Sequence, residues 1–146
     1  MNPDLVYSWY ECYKNGIFRY ALSVLKDIGL AEDVLQEVFL RLLSGKYKVH
    51  PGKEQAWLYK VARNLCYDIL RKRNWETGTL SEISGQGSYE YIELIASLDK
   101  TEQEIVTLKI VGGLTHKEIA RVLGFSVHAS KKRYERAIQK LREEEV

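Results

Sequence analysis

Cationic, aromatic and amide side chains share one predicted helical face near the middle of the chain. The face belongs to residues 54–73, where apolar residues recur at helical spacing. Its polar members, at successive spacings of three, one, three and four residues, are Lys60, Arg63, Asn64, Tyr67 and Arg71. Cations neutralise phosphates, and an aromatic ring can stack on a base that has left the double helix. This face alone is consistent with DNA binding and with an ordinary solvated surface.

A second basic helix lies near the C-terminus, in the segment LTHKEIARVLGFSVHASKKRYERAIQKLR. Thr115 and Glu118 have the spacing of a capping box at the start of one helix, and Gly124 suits a left-handed residue at its end. Ser126 can cap the helix that follows. The cations of that helix are Lys131, Lys132, Arg133, Arg136, Lys140 and Arg142. The pattern predicts a helix-turn-helix, a unit that typically reads DNA.

Ser130 interrupts the apolar stripe of this last helix. The stripe consists of Val127, Ser130, Tyr134, Ala137, Ile138 and Leu141. A buried hydroxyl without a hydrogen-bond partner costs about 1–3 kcal/mol. We expect the Ser130 hydroxyl to bond back to the carbonyl of Ser126, which limits that cost.

An acidic face is predicted on an earlier helix, residues 31–43. Val34, Val38 and Leu42 form its apolar stripe. The other side carries Glu32, Asp33, Gln36, Glu37 and Leu40, together with Arg41. A leucine among acids can be the anchor of a docking patch, and a solvated surface with one exposed leucine is the alternative.

The elements that position these faces are helical throughout. Apolar residues recur at helical spacing nearly everywhere, which predicts an all-α protein of two small helical domains joined by a flexible linker. The linker is residues 74–91, because Gly, Ser and Thr are concentrated there. It separates a domain at 1–73 from a helix-turn-helix domain at 92–146. In the second domain, Thr101 and Glu104 have the spacing of a further capping box.

Composition excludes several classes of protein. The 146 residues are 45% hydrophobic and 29% charged, as in an ordinary globular chain, with a net charge of +2. Cys12 and Cys66 match no metal spacing and are expected to be buried free thiols. No residue cluster suggests a catalytic centre, a metal site or a cofactor, so no enzyme is predicted. No signal peptide or membrane-spanning run is present, which predicts a cytoplasmic protein without membrane insertion.

Three motifs together resemble the bacterial sigma-70-type sigma factors, most closely the extracytoplasmic-function class that keeps regions 2 and 4. They are AEDVLQEVFLRL, AWLYKVARNLCYDILRKR and LDKTEQEIVTLKIVGGLTHKEIARVLGFSVHASKKRYERAIQKLRE, in this order. The resemblance implies a promoter-specificity subunit that binds core RNA polymerase, at its β′ coiled coil and β flap, and promoter DNA. It also implies control by an anti-sigma factor.

The resemblance implies roles for matching positions. Region 2.2 would contact polymerase through Glu32, Asp33, Gln36, Glu37 and Leu40. Regions 2.3 and 2.4 would bind the melted −10 element through Lys60, Arg63, Asn64, Tyr67 and Arg71. The loop residues Tyr47, Lys48 and His50 would receive a flipped base, whose cost of a few kcal/mol a pocket must offset.

Region 4 would bind the −35 element through the last helix. Lys131, Lys132, Glu135 and Arg136 would face bases, and Thr115, Lys117 and Arg133 would contact phosphates. The family usually has threonine and valine where this chain has Ala129 and Ser130. We therefore expect a less firmly seated recognition helix. The alternative function is a stand-alone helix-turn-helix regulator, or a sigma-like adaptor without initiation activity.

Overall fold

The computed structural model describes residues 2–76 and 86–144, with side chains for 2–73 and 90–144. These residues are helical, without a strand among them, which confirms the predicted all-α class. The helices are α1 (Pro3–Leu25), α2 (Ile28–Leu43), α3 (Glu54–Glu76), α4 (Gln86–Leu94), α5 (Lys100–Val106), α6 (His116–Leu123) and α7 (Val127–Glu144). A π turn, Thr107–Val111, continues α5. Half of the predicted linker, residues 77–85, lies outside the described residues.

Capping side chains set the starts of the helices in the C-terminal half. The predicted capping box at Thr115 and Glu118 is confirmed, with each residue bonding to the backbone N–H of the other. Gly124 is left-handed at φ 82°, also as predicted. The box predicted at Thr101 and Glu104 is wrong, because Asp99 and Glu102 cap α5 instead. Glu104 is therefore available for another role.

One apolar core runs through both halves of the chain. Helices α1, α2 and α3 bury residues such as Ile17, Val38 and Leu58, and Leu108 and Ile119 of the C-terminal half belong to the same cluster. A second, smaller cluster holds α7 against the segment around α4 and α5 and consists of Ile95, Leu98, Val106 and Ala137. The two predicted domains are thus packed against each other.

Tyr59 of α3 lies close to residues of both halves. A Cβ atom at Gly16 of α1 would overlap the Tyr59 hydroxyl. A Cβ atom at Gly112 would lie 3.0 Å from Cζ of Tyr59 and 2.9 Å from the carbonyl oxygen of Leu108. Gln55 adds a hydrogen bond from Nε2 to the Gly112 carbonyl oxygen, 2.5 Å long. The two glycines therefore make room for the tyrosine ring that joins α1, α3 and the π turn.

No helix in the described parts of the chain combines the length and the apolar composition that crossing a bilayer would need.

Candidate nucleic-acid and polymerase interfaces

The basic face of α3, defined as Lys60, Arg63, Asn64, Tyr67 and Arg71, divides into open and covered members. Lys60, Asn64 and Arg71 are exposed, and Arg71 pairs with Asp68 one turn earlier. Arg63 and Tyr67 are half-buried. The structure thus leaves three of the five predicted residues open to solvent and draws the other two into the molecule.

Arg63 is covered because it pairs with Glu104 of the C-terminal half. Its Nε donates to Oε1 of Glu104 over 3.0 Å, and the hydroxyl of buried Tyr20 donates to the same oxygen over 2.7 Å. Burial would lower the pKa of Arg63, but the carboxylate of Glu104 outweighs it and raises that pKa. The pKa of Tyr20 is raised by burial and then by Glu104, so the phenol keeps its proton and donates. One carboxylate therefore ties α5 to α1 and α3.

The ring of Tyr67 contacts two cations, one from each half. The Arg63 guanidinium carbon lies 4.6 Å from the centre of its ring, and Nζ of Lys100 lies 4.4 Å from it. Cation–π contacts at partly exposed sites are worth about 0.5–1 kcal/mol each. A base stacking on Tyr67 would compete with these cations for the ring.

Glu104, Tyr20 and Lys100 were not predicted as site residues. Only a weak indication of Glu104 is present in the sequence. Glu104 precedes Leu108 by four residues, so this acid lies on the predicted apolar face of its helix. A buried acid needs a partner, but its partners come from helices far away in the sequence. Helical periodicity does not identify them.

The loop before α3 exposes all three residues predicted for a flipped base, Tyr47, Lys48 and His50. The Tyr47 ring lies 5.7 Å from that of Trp57, and Val49 between them in sequence is buried and anchors the loop. The loop turns at Gly52, whose φ of 94° favours glycine. The backbone of the loop is therefore anchored, while the side chains of Tyr47, Lys48 and His50 are exposed to solvent.

Glu54, which the sequence did not single out, holds the end of this loop. Its Oε1 accepts from the Gly52 N–H and its Oε2 from the Tyr13 hydroxyl, both over 2.6 Å. Burial alone would raise the pKa of Glu54, but these hydrogen bonds lower it on balance. The loop is thus fastened to α1 as well as to α3.

The α2 docking surface, defined as Glu32, Asp33, Gln36, Glu37 and Leu40, lies on one exposed side of that helix. Glu37 is half-buried and bonds to Arg41 over 3.3 Å, and the other four are exposed. The Leu40 side chain is 58% exposed. It borders an apolar groove of about 470 Å³ between α1 and α2.

The apolar groove adds residues that sequence reasoning missed. Tyr7 of α1 is 65% exposed and Leu43 of α2 is 55% exposed, and both line the groove beside Gln36 and Leu40. Tyr7 was not predicted because it lies before the first predicted helical segment, whereas α1 in the structure begins at Pro3. An exposed apolar surface therefore lies next to the α2 docking surface.

The C-terminal helix-turn-helix consists of α6 and α7. The recognition face of α7, defined as Lys131, Lys132, Glu135 and Arg136, is exposed, as are the predicted phosphate contacts Thr115, Lys117 and Arg133. The Arg133 guanidinium lies 5.0 Å from the ring centre of Phe125. Ser126 caps α7 by accepting from the Ala129 N–H over 3.0 Å, as expected. The structure thus brings the predicted −35 residues to the surface of one unit.

Ser130 has a different partner from the one expected. Its buried hydroxyl shares a hydrogen bond of 2.9 Å with Nδ1 of His116, the first residue of α6. Val127, expected in the apolar stripe, is instead 40% exposed. The His116 ring also meets the edge of Tyr134, with ring centres 5.4 Å apart. The polar interruption of α7 therefore pairs with a polar residue of α6.

The two cysteines occupy different environments. Cys66 is buried, and burial raises its pKa to about 12, so it stays a thiol. Cys12 is exposed, which corrects the expectation that both are buried. Within residues 2–76 and 86–144, no group of His, Cys, Asp or Glu could hold a metal ion.

Two family models match the chain, one to each half. The model described as sigma-70 region 2 matches residues 9–76, and the model described as sigma-70, region 4 matches residues 88–141. The chain is 31% identical to the ECF RNA polymerase sigma factor SigM of Bacillus subtilis (strain 168), covering 91% of this chain and 90% of SigM. It is 33% identical to EcfG of Rhodopseudomonas palustris (strain TIE-1), over 84% of this chain and 75% of that protein.

Solved structures of similar fold cover both halves. One is the sigma factor RpoE in complex with the anti-sigma factor NepR from Bartonella quintana, with a TM-score of 0.76 and 21% identity over 93% of each chain. The other is CnrH in complex with the cytosolic domain of CnrY, with a TM-score of 0.74 and 24% identity over 97% of this chain and 87% of CnrH. The fold described above is thus shared over nearly the whole length of these chains.

Proposed function

The chain belongs to the sigma-70 family, in its extracytoplasmic-function class, and from that premise we propose how its residues bind polymerase and promoter DNA. Its function is to confer promoter specificity on bacterial RNA polymerase at initiation. Sigma factors are in general non-enzymatic regulators, and we propose that this one catalyses no reaction of its own. We place its action in the cytoplasm, where polymerase and promoter meet.

Each half has its own binding task in this proposal. Residues 1–73 form a region 2-like domain that binds core polymerase and the −10 element, and residues 92–146 form a region 4-like domain that binds the −35 element. Residues 74–91 link them. One observation supports this proposal most strongly. The same chain has, in this order, an acidic and apolar surface on α2, a basic face on α3 and a basic recognition face on α7. A stand-alone regulator has no use for the first two.

Polymerase binds the α2 docking surface in this proposal. The exposed acids Glu32 and Asp33 attract a basic segment, while Leu40 and the adjacent groove supply apolar area. Interfaces of this kind derive most of their free energy from a few buried anchors, and charges mainly speed and orient the encounter. Leu40 is the anchor.

Melted −10 DNA binds the basic face of α3 and the loop at Tyr47, Lys48 and His50. Lys60 is open and can neutralise a phosphate at once, and the exposed Arg71 can do so by exchanging the exposed carboxylate of Asp68 for the phosphate. Arg63 and Tyr67 become available only when Glu104 and Lys100 withdraw. Full −10 binding therefore requires the C-terminal half to separate from α3.

The spacing of the two promoter elements gives a second reason for separation. The names −10 and −35 place the two elements about 25 base pairs apart. At roughly 3.4 Å per base pair, this is ~85 Å of B-DNA. A compact chain of this length has a radius of gyration of about 15 Å. The packed form thus binds one element at a time, and we propose that it is the form the free protein takes before it binds polymerase.

One similar solved structure holds the sigma factor RpoE together with the anti-sigma factor NepR, and the other holds CnrH together with the cytosolic domain of CnrY. We propose that an anti-sigma factor likewise controls this chain, by binding while the two halves are packed. The remaining partners in the proposal are core RNA polymerase, at its β′ coiled coil and β flap, and promoter DNA.

Transcription in vitro tests the proposed function. Core polymerase would be combined with the full chain and a promoter library in which both elements are randomised. We expect a selected set of promoters with two conserved blocks, one dependent on α3 residues and one on α7 residues. Tight sequence-specific binding by the free protein, with no promoter-specific initiation from any library member, would instead support the stand-alone regulator.

A further inference from the structure

The first half of α7 has few apolar anchors. Val127 is 40% exposed, so the first turn does not insert an aliphatic side chain into the core. Among the described residues of α7, those fully buried are Ser130 and Ala137. Ala137 packs in the cluster with Ile95, Leu98 and Val106, about two turns after Ser130. The fully buried side chain nearest the start of the recognition face is therefore that of Ser130, and the partly buried Tyr134 packs against the core one turn later.

The bond between Ser130 and His116 is directional, unlike the apolar contact it replaces. Its length is 2.9 Å, and it joins the first residue of α6 to the fourth residue of α7. A hydrogen bond weakens steeply when its angle or length departs from the optimum. Because the Ser130 side chain is fully buried, loss of His116 would leave its hydroxyl without this partner inside the fold.

We propose that His116 is a positioning residue for −35 recognition, acting through Ser130 to set the rotation of α7 against α6. The proposal rests on the proposed −35 role of α7. A rotation of about 20° would move side-chain atoms at a radius of ~5–6 Å by roughly 2 Å. That displacement exceeds the tolerance of a hydrogen bond between the recognition face and a base edge. The pair thus supplies the orientation that a larger apolar residue would supply by packing.

Charged groups around His116 favour the neutral ring. Lys109 of the π turn and Lys131 of α7 face it, together with Glu135 of α7. Burial, then the two lysines, lower the pKa of His116, and Glu135 opposes them. Lys131 belongs to the recognition face and follows Ser130 directly, so the pair lies next to the DNA-facing side chains.

Substitutions in the holoenzyme test this role. The readout is the ratio of initiation from a library-selected promoter to initiation from the same promoter with a scrambled −35 element. We expect His116→Ala and Ser130→Ala each to lower the ratio about tenfold, roughly as the loss of one base contact would. His116→Asn should restore most of it, because Oδ1 of asparagine lies close to the position of Nδ1. The double substitution should cost no more than either single one, because residues that act through one bond are not additive.

Ser126→Ala is the matched control, because it removes the cap of the same helix without touching His116. It should lower the melting temperature about as much as His116→Ala does. It should change the ratio of initiation from the intact and scrambled promoters by less than about twofold. Equal losses of discrimination in Ser126→Ala and His116→Ala, failed rescue by His116→Asn, or additive effects in the double variant would each overturn the positioning role. A wild-type holoenzyme with no promoter-specific initiation would overturn the proposed function, and this inference with it.

Discussion

Arg63 of α3 and Glu104 of α5, 41 residues apart in sequence, are joined by a hydrogen bond of 3.0 Å. Arg63 is a predicted −10 contact, and Glu104 lies in the half predicted to bind the −35 element. The same carboxylate accepts from Tyr20 of α1. A DNA phosphate and Glu104 are both anions, so they compete for Arg63. We propose that packing of the two halves and binding of the −10 strand compete at this residue.

Glu104→Gln should shift the free protein toward −10 binding. The amide keeps the side-chain volume but loses the charge that holds Arg63, which weakens a buried pair by about 1–3 kcal/mol. We expect the free protein to bind a single-stranded −10 oligonucleotide several-fold more tightly, measured by fluorescence anisotropy. Glu102→Gln is the control, since Glu102 is a buried acid that pairs with Lys140 rather than with α3. Equal affinities for wild type and Glu104→Gln would contradict the competition.

Leu40→Ala should weaken binding to core polymerase without unfolding the protein. The side chain is 58% exposed, so its loss leaves the core intact, while loss of an interface anchor typically costs about 1–3 kcal/mol. Competition against labelled wild-type protein for core polymerase measures the change. Ile110→Ala is the matched control, because Ile110 is also 58% exposed but lies in the π turn. Unchanged competition by Leu40→Ala would remove Leu40 from the docking surface.

Arg136→Ala should reduce −35 discrimination by about 1–3 kcal/mol, as expected for an arginine that contacts a guanine edge. Initiation by the holoenzyme on intact and scrambled −35 elements gives the difference. Arg142→Ala, exposed at the far end of α7, should leave discrimination unchanged. An equal loss on both promoters would make Arg136 a phosphate contact.

The stability of the fold should depend on pH through His116. Its folded pKa lies below the ordinary value of 6.5, so the unfolded chain binds the proton more tightly. The contribution of neutral His116 to the free energy of unfolding is then fully present above about pH 6.5, and it is lost as the pH falls from there through the lower folded pKa. Urea unfolding at pH 7.5, 6.5 and 5.5 measures it. The fall should be smaller in His116→Asn, and identical profiles would mean that His116 does not titrate in this way.

Gly16→Ala should destabilise the protein, although alanine ordinarily favours a helix by about 0.5–1 kcal/mol over glycine. The added methyl overlaps the Tyr59 hydroxyl, and overpacking typically costs about 1–3 kcal/mol. Gly29→Ala is the control, since that exposed helical glycine has open space except for Asp27 Oδ1 at 3.5 Å. The free energy of unfolding in urea compares the two. A gain in stability for Gly16→Ala would mean that Tyr59 moves aside without cost.

Much of the local structure was predictable because it depends on neighbouring residues. The capping box at Thr115 and Glu118 and the left-handed Gly124 are contacts within one helical turn, and both were predicted correctly. The capping box of α5 was misplaced by two residues, because acids at both Glu102 and Glu104 fit a box with different partners. Local spacing alone does not distinguish them.

Sequence alone determined the helical class, the order of the acidic, basic and helix-turn-helix elements, and the family to which they belong. These follow from periodicity and from residue types within single helices. Only the tertiary structure decided that Glu104 binds Arg63 and that Ser130 pairs with His116. Both pairs join residues on different helices, 41 and 14 positions apart. The physical reason is that a buried polar group needs a partner, while the packing of distant helices determines which one it meets.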